Sequence, residues 1–190
     1  MGIVLSTHSI SLDGYMAQPD GDPGPLHEWL WAGEHPSRHV GIAKFSEPSR
    51  DWFDSGVDRV GATVVGRTTH DNSGGWGGYL PFDWPFFVVT HDPPGDADEL
   101  PFVFVTEGVE RAVELAQEAA GGKNVTVMGG DMTRQALAAG VLDEIDVDLV
   151  PVVFGEGVRL FDEDALPAEL ELQRVVDAPG VTHLSYRVVK

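Results

Sequence analysis

The sequence contains no cysteine and few basic residues, and both features narrow the range of functions. Without cysteine there are no disulfides, thiolate metal ligands or cysteine nucleophiles, which fits a cytoplasmic protein. The zinc signature of nucleobase deaminases also needs cysteines, so that class is excluded. Twelve Lys and Arg residues stand against 31 Asp and Glu residues, and the formal net charge is −19. A field of that sign repels nucleic acid and anionic membranes, so we expect neither as a partner.

Other signatures of common functions are missing as well. The sequence has no Gly-x-Ser-x-Gly elbow of hydrolases and no His-Glu-x-x-His zinc motif, and its glycine loop at 72–79 lacks the lysine of a P-loop. His35 and His39 have metal-like spacing, but Pro36 lies between them and no third ligand is near, so we expect no metal. No apolar run approaches the length of a membrane span, and the N-terminus lacks the basic segment of a signal peptide.

What is present is an ordinary globular composition. The chain has 190 residues, of which 42% are hydrophobic and 23% charged. Neither a repeat nor a clear linker divides it, and we therefore expect a single domain over residues 1–190.

One stretch, residues 125–137, carries the strongest functional signal. It begins as an apolar strand, turns at Gly129-Gly130, and continues as a helix that Gly140 would end. Two glycines at such a switch let the backbone come close to a bound molecule, and the start of a helix attracts anions. The pattern is typical of a cofactor pyrophosphate site. A glycine turn without any ligand is the alternative.

Two other strands have polar or glycine-rich exits. Asp13-Gly14 follows the strand 3–11, where Asp13 is either a site carboxylate or the cap of a turn. Gly66-Arg67 follows the strand 60–65, where Arg67 either binds a phosphate or pairs with a carboxylate. Because ligands of α/β sheets bind beyond the carboxyl ends of strands, we expect the three exits to converge on one cleft.

The whole pattern predicts an α/β fold with a mixed, mostly parallel sheet. Strands alternate with helices along most of the chain, and two alternating strands at 170–175 and 182–188 predict a closing antiparallel hairpin. In the strand 145–149, apolar residues alternate with Asp146 and Asp148, which predicts one solvent-exposed side.

These exits, in this order, resemble the dihydrofolate-reductase-like fold, and the closer likeness is to its riboflavin-biosynthesis reductase branch, the RibD C-terminal family. The likeness covers nearly the whole chain and is weakest between residues 20 and 55. The segments that carry it are Ser11–Ala17, Val64–Thr69, Val88–Thr90, Val127–Gly130, Ala139–Pro151 and Phe154–Phe161.

The resemblance implies a three-layer α/β/α fold and an NADPH-dependent reductase that forms a homodimer. It places Asp13 and Tyr15, with Gly14, at the nicotinamide and therefore at the reaction. It also implies that the Gly129-Gly130 peptide is cis. The residues that it assigns to the rest of the cofactor are Gly66, Arg67, Thr68 and Thr69 for phosphates and ribose, Thr90 and His91 for adenine and the 2′-phosphate, and Met128, Gly129, Gly130, Asp131, Met132 and Thr133 for the pyrophosphate.

Two departures from the resemblance matter. Folate reductases carry a carboxylate three residues before a Trp-Phe pair, and here the pair is Trp52-Phe53 and that position is Ser49. This argues against dihydrofolate as the substrate. His91 stands where an arginine would select the 2′-phosphate more strongly, because His is mostly uncharged at neutral pH.

The expected reaction is hydride transfer from a reduced nicotinamide to a C=O or C=N carbon of a small polar, pterin- or pyrimidine-like substrate. Asp13, Tyr15 or a bound water would supply the proton. Four aromatic residues could stack on the substrate or pack in the core: Trp29, Trp31, Trp52 and Phe53. The alternative function is a non-catalytic NADP(H)-binding module that acts as a sensor or dimerisation partner.

Overall fold

The architecture was analysed in a computed structural model that describes residues 2–162 and 167–190. The strands are β1 (Val4–Ser11), β2 (Tyr15–Ala17), β3 (His35–Pro36), β4 (Lys44–Phe45), β5 (Val60–Gly66), β6 (Phe86–Val89), β7 (Val103–Val105), β8 (Asn124–Met128), β9 (Glu144–Val150), β10 (Val158–Arg159), β11 (Leu170–Ala178) and β12 (Val181–Val188). The α-helices are α1 (Glu47–Asp58), α2 (Arg67–Asn72), α3 (Val109–Ala119) and α4 (Gly130–Ala138), and short 3₁₀ helices span Gly24–Trp31, Gly74–Gly78 and Ala97–Glu99. Within the described ranges, every helix is too short or too polar to cross a bilayer.

Eight strands form one mixed sheet in the order β11-β12-β9-β1-β8-β5-β6-β7. The pairs β1–β8, β8–β5, β5–β6 and β6–β7 are parallel. The pairs β11–β12 and β12–β9 are antiparallel, and the first of them is the predicted closing hairpin. The predicted α/β class and the mostly parallel sheet are therefore confirmed. By its internal contacts the chain forms two compact units, and the single domain expected from the sequence stays a prediction.

Of the described residues, the first unit comprises 2–6, 59–143 and 190. Its strands β5 and β6 are mostly apolar and mostly buried, as expected for parallel strands, whereas β8 buries Val125 and Val127 and leaves its alternate residues half-buried. Helix α3 packs on this sheet through residues at helical spacing, namely Val109, Ala112, Val113 and Ala116.

Of the described residues, the second unit comprises 7–58, 144–162 and 167–189, and its core is aromatic. Trp29 and Trp52 are buried, and Phe53 stacks on Phe45 with ring centroids 5.0 Å apart. Core packing therefore accounts for three of the four aromatic residues that could have held a substrate. Trp31 remains 52% exposed.

The solvent-exposed side predicted for β9 is wrong. Asp146 and Asp148 are both buried. Asp148 lies opposite His183 of β12, and its Oδ1 is 2.7 Å from His183 Nδ1. The other ring nitrogen of His183 reaches Ser49 of α1 at 2.9 Å, so the helix covers this face of the sheet. A buried carboxylate is tolerated here because a hydrogen-bond partner is buried beside it.

Asp13 and Tyr15 clamp the connector that follows β9. The carboxylate of Asp13 accepts hydrogen bonds from the Ser11 hydroxyl at 2.6 Å and from the amides of Phe154 and Gly155 at 3.1 and 2.7 Å. The Tyr15 hydroxyl donates to the Gly155 carbonyl at 3.1 Å. We call this arrangement of Ser11, Asp13, Tyr15, Phe154 and Gly155 the connector clamp.

The clamp explains why Asp13 is unusually acidic. The Ser11 hydroxyl, followed by the Gly155 and Phe154 amides, lowers the pKa of Asp13 to about 2 against an opposing effect of desolvation. Hydrogen bonds of this kind favour the charged form of a carboxyl group. Because the folded-state pKa is depressed, the contribution to stability is present above the pKa of the unfolded chain and is lost as the pH falls toward 2.

We predict that Asp13→Ala lowers the unfolding temperature at pH 7, because two connector amides lose their acceptor. The difference from the wild type should shrink as the pH falls from about 4 toward 2. Thermal unfolding followed by circular dichroism at several pH values measures both effects. Glu28→Ala, which removes an exposed carboxylate of the 3₁₀ helix Gly24–Trp31, is the control. A difference that stays constant over this range would contradict the role of the ionised clamp.

Candidate functional site

Three strand exits of the first unit lie side by side. In the parallel register, Val65 of β5 lies opposite Met128 of β8, and Gly66 lies opposite Val89 of β6. The carboxyl ends of the three strands therefore meet at one edge of the sheet. This brings together the segments 66–69, 90–91 and 128–133, which contain every predicted cofactor residue except Gly14. Asp13, Gly14 and Tyr15 belong to the second unit, and their convergence with the other exits stays a prediction.

Gly129 makes the turn between β8 and α4, and only glycine fits there. Its φ is +102° and its ψ 138°, in a region that L side chains rarely adopt. A Cβ at this position would lie 2.5 Å from Thr69 Oγ1. Among residues 2–162 and 167–190, no side chain makes a capping hydrogen bond at the start of α4, where the first amides of a helix have no partner within the helix. The cis Gly129-Gly130 peptide implied by the resemblance is not found, since the peptide bonds of the described residues are all trans.

The residues after the glycine pair divide into buried supports and one exposed acid. Thr133 is buried, and both its amide and its hydroxyl donate to the Gly129 carbonyl, at 3.0 and 3.1 Å. Met132 is buried as well, and a Cβ on Gly66 would approach its Cγ to 3.0 Å. Asp131 is exposed and accepts a hydrogen bond from Gln135 at 2.8 Å. Thr133 thus fixes the Gly129 carbonyl, and Met132 packs against Gly66.

Arg67 pairs with a carboxylate and still presents part of its guanidinium outward. Its Nε donates to both oxygens of Asp71 at 2.8 Å, and its Nη1 donates to the carbonyl oxygen of Asp92 at 2.7 Å. In residues 2–162 and 167–190 no hydrogen bond engages Nη2. Both alternatives raised by the sequence are therefore compatible with this geometry.

The remaining residues of this edge differ in exposure. Thr68 is exposed, whereas Thr69 is half-buried beneath Gly129. Thr90 is buried, and its hydroxyl accepts a hydrogen bond from the Asp92 amide at 3.2 Å, which shapes the turn after β6. His91 is exposed at that turn. The edge therefore exposes an arginine, a histidine, a threonine hydroxyl and a glycine turn to solvent.

Both predicted catalytic residues are hydrogen-bonded within the connector clamp. Asp13, with a pKa of about 2, is ionised at neutral pH. The Tyr15 hydroxyl donates to Gly155 and accepts from Arg159 Nη2 at 3.0 Å, while the Arg159 guanidinium lies 4.4 Å from the centre of the Tyr15 ring. Gly14 has a φ of +87°, and its carbonyl accepts from the Leu160 amide at 3.1 Å. These contacts favour the turn role of Asp13.

Ser49, the position where folate reductases would carry an acid, belongs to a buried hydrogen-bonded chain. Ser46 Oγ donates to Ser49 Oγ at 3.0 Å, Ser49 contacts His183, and His183 contacts Asp148. His183 is fully buried, with Trp52 stacked on it at 5.2 Å and the edge of Trp29 at 5.0 Å. The sequence reasoning missed this chain. The signal was the pair of acids in a strand next to a hairpin that carries a histidine.

The two histidines with metal-like spacing have separate partners. His39 Nε2 lies 2.9 Å from Asp58, and His35 Nδ1 lies 3.4 Å from Arg50. Over the described ranges, no group of three or more His, Cys, Asp and Glu side chains could hold a metal ion.

Comparisons with known proteins agree with the fold and identify the family. An uncharacterised protein of Bacillus subtilis (strain 168), YwjB, is 27% identical over 181 residues, which are 94% of this chain and 93% of that protein. A Shewanella sp. PV-4 protein provisionally assigned to riboflavin biosynthesis has a similar structure, with a TM-score of 0.74, 22% identity and coverage of 99% of both chains. The dihydrofolate reductase of Enterococcus faecalis, solved in complex with NADP(H), has a TM-score of 0.58 and 17% identity, with 100% of this chain and 98% of that chain covered.

The sequence profile of the RibD C-terminal domain matches residues 3–184, nearly the whole chain. The resemblance inferred from the strand exits is thereby confirmed, and the protein belongs to the RibD C-terminal domain family.

Proposed function

We propose that this protein is an NADPH-dependent reductase that transfers a hydride to a C=O or C=N carbon of a small polar substrate, such as a pterin- or pyrimidine-like heterocycle. The observation that carries the proposal is the alignment of three glycine- or polar-ended strand exits at one sheet edge, in a chain of a reductase-containing family. When bound, the cofactor supplies the hydride, and the protein orients it and excludes water.

The residues of this edge fit the parts of such a cofactor. The Gly129-Gly130 turn and the uncapped start of α4 suit a pyrophosphate, because backbone donors and the positive end of the helix dipole point the same way. Arg67 and Thr68 suit phosphates, and Thr90 and His91 suit the adenosine side with its 2′-phosphate. In a chain with a net charge of −19, a local cation such as Arg67 is needed to hold a polyanion.

Two features of the second unit bear on the substrate. Position 49 is a serine and therefore offers no carboxylate that could protonate a folate ring. Its hydroxyl is hydrogen-bonded to His183. This supports a substrate other than dihydrofolate. Because Asp13 and Tyr15 are held in the connector clamp, we propose that a bound water donates the proton to the substrate.

The clamp also favours a second candidate function. If both predicted catalytic groups serve only the connector, the protein is a non-catalytic NADP(H)-binding module. The two functions differ in turnover. Loss of NADPH absorbance at 340 nm in the presence of pterin or aminopyrimidine carbonyl compounds supports the reductase, whereas saturable binding without turnover across such a panel supports the module.

The first test of cofactor binding is tryptophan fluorescence during titration with NADPH and, separately, with NADH. Five tryptophans provide the signal. We expect saturable quenching at micromolar NADPH and weaker binding of NADH, because Arg67 and His91 would contact the extra phosphate. Arg67→Ala should weaken NADPH binding by roughly tenfold, as expected for a charge-assisted hydrogen bond worth about 1.5 kcal/mol, and should remove the preference.

A control for Arg67→Ala is Arg111→Ala, which removes an exposed arginine of α3 that pairs with Glu114. It changes the net charge equally and should leave NADPH binding as in the wild type. Equal binding of both cofactors would remove the 2′-phosphate from the proposed contacts of Arg67 and His91. If neither NADPH nor NADH binds, the proposed function is contradicted.

The glycine turn gives an independent prediction. Gly129→Ala should abolish NADPH binding and destabilise the fold by more than the roughly 1–2 kcal/mol of a left-handed alanine, because the new methyl group also collides with Thr69. Gly140→Ala at the other end of α4 is the matched control, since its φ is +70° but no atom lies within 4 Å of the added Cβ. Urea unfolding and the same titration separate the two effects. Equal behaviour of both variants would contradict a role for the Gly129 turn in binding.

The homodimer implied by the resemblance remains part of the proposal. The edge strand β11 supports it, because Leu172 and Val175 are each about half exposed there, and an unpaired edge is open to a second chain. Light scattering should give a mass of about 41 kDa, twice the 20.5 kDa of one chain. Leu172→Lys should shift the mass toward the monomer, and a monomeric wild type at micromolar concentration would contradict this part of the proposal.

A further inference from the structure

The guanidinium of Arg67 is held on two sides by groups that the strand-exit pattern did not reveal. Asp71 lies one turn further along α2, and both oxygens of its carboxylate accept a hydrogen bond from Arg67 Nε. The main-chain carbonyl of Asp92, in the turn after β6, accepts a hydrogen bond from Arg67 Nη1. The planar fork of an arginine is fixed when two of its nitrogens are bonded, and among the described residues these bonds leave Nη2 without a hydrogen bond.

Asp71 is itself anchored from the core side. Its Oδ1 lies 3.1 Å from Nδ1 of His70, which is buried. Three aromatic rings meet the imidazole edge-on, with centroids 5.0 to 5.9 Å away: Trp76, Phe102 and Phe104. A ring packed in this way has little rotational freedom, so His70 fixes the position of the carboxylate. The hydrogen bond from His70, and then the one from Arg67, lower the pKa of Asp71, which keeps it ionised at neutral pH.

We propose that Asp71 is a positioning residue for cofactor binding, which holds Arg67 with its Nη2 edge directed toward a cofactor phosphate. The inference rests on the proposed function. If Asp71 has this role, the affinity of the cofactor site for a phosphate depends on an acidic residue, although the acid and the phosphate repel each other.

Charge and geometry make opposite predictions for Asp71, and this makes the inference testable. By charge alone, removing a carboxylate next to a phosphate site should tighten the binding of a polyanion. By geometry, removing it releases a long side chain that must then be ordered again each time the cofactor binds. Asp71 is half-exposed, so its repulsion of the phosphate is screened by water and salt. We therefore expect the loss of order to dominate.

The experiment compares NADPH affinity, by tryptophan fluorescence titration, in the wild type and in variants at Arg67, Asp71 and Asp92. Asp71→Ala should weaken binding by roughly three- to tenfold, the range for one immobilised side chain. Asp71→Asn should restore most of the affinity, because the amide oxygen still accepts from Arg67 Nε. Asp92→Ala should not weaken binding, because it removes an exposed carboxylate whose repulsion of the phosphate is also screened, but keeps the carbonyl that holds Nη1.

The outcomes separate this inference from the proposed function. If the wild type binds NADPH and Arg67→Ala weakens binding, but Asp71→Ala binds as tightly as the wild type or more tightly, the positioning role is overturned and the cofactor site stands. If Asp92→Ala weakens binding as much as Asp71→Ala, the effect is not specific to the hold on Arg67, and the role is overturned as well. Absence of NADPH binding by the wild type overturns both. If Asp71→Ala fails to fold, Asp71→Leu takes its place as the variant without an acceptor for Arg67 Nε. The positioning role then stands if Asp71→Asn binds NADPH at least half as tightly as the wild type and Asp71→Leu binds it more weakly than Asp71→Asn. Equal binding by these two variants overturns the role.

Discussion

The parallel pairing of β5 with β8 on one side and β6 on the other is the constraint on which the candidate site depends. Parallel strands end at the same edge, and their registers leave little freedom in where the next residue lies. The pairing brings residues 66, 90 and 129 together although they are far apart in the chain. Only then do the local properties matter, namely the left-handed glycine, the arginine fork and the uncapped helix start.

The second unit shows the same principle with hydrogen bonds in place of a strand ladder. Asp13 and Gly155 are 142 residues apart, yet two motifs that carry the family resemblance turn out to be the two halves of one clamp. Residues that mark a family can therefore serve to hold a loop of its fold. The hydrogen-bond partners of Asp13 and Tyr15 show this role, which the identity of the two residues alone does not reveal.

Much of the fold followed from the sequence, because period, turn residues and helix ends are local properties. The strand–glycine–helix unit at 124–138 and the closing hairpin were predicted from pattern alone. The side of β9 that bears Asp148 was not, since alternation shows that two faces differ but not which face another element covers. The two hydrogen-bond partners that fix the Arg67 guanidinium were also not predicted. One of its partners is a main-chain carbonyl, and the identity of a side chain carries no information about where a carbonyl points.

The chain Ser49–His183–Asp148 has a broader consequence for how enzymes are identified from coordinates. Its distances of 2.9 and 2.7 Å are those of a serine-hydrolase triad, and a template search that uses only atom positions would report one. Ser49 is 1% exposed, and an aromatic side chain stacks on the imidazole, so no acyl group can reach the hydroxyl in this arrangement. Here the same three side chains tie a helix to a sheet. Solvent access, more than geometry, separates a nucleophile from a structural hydrogen bond.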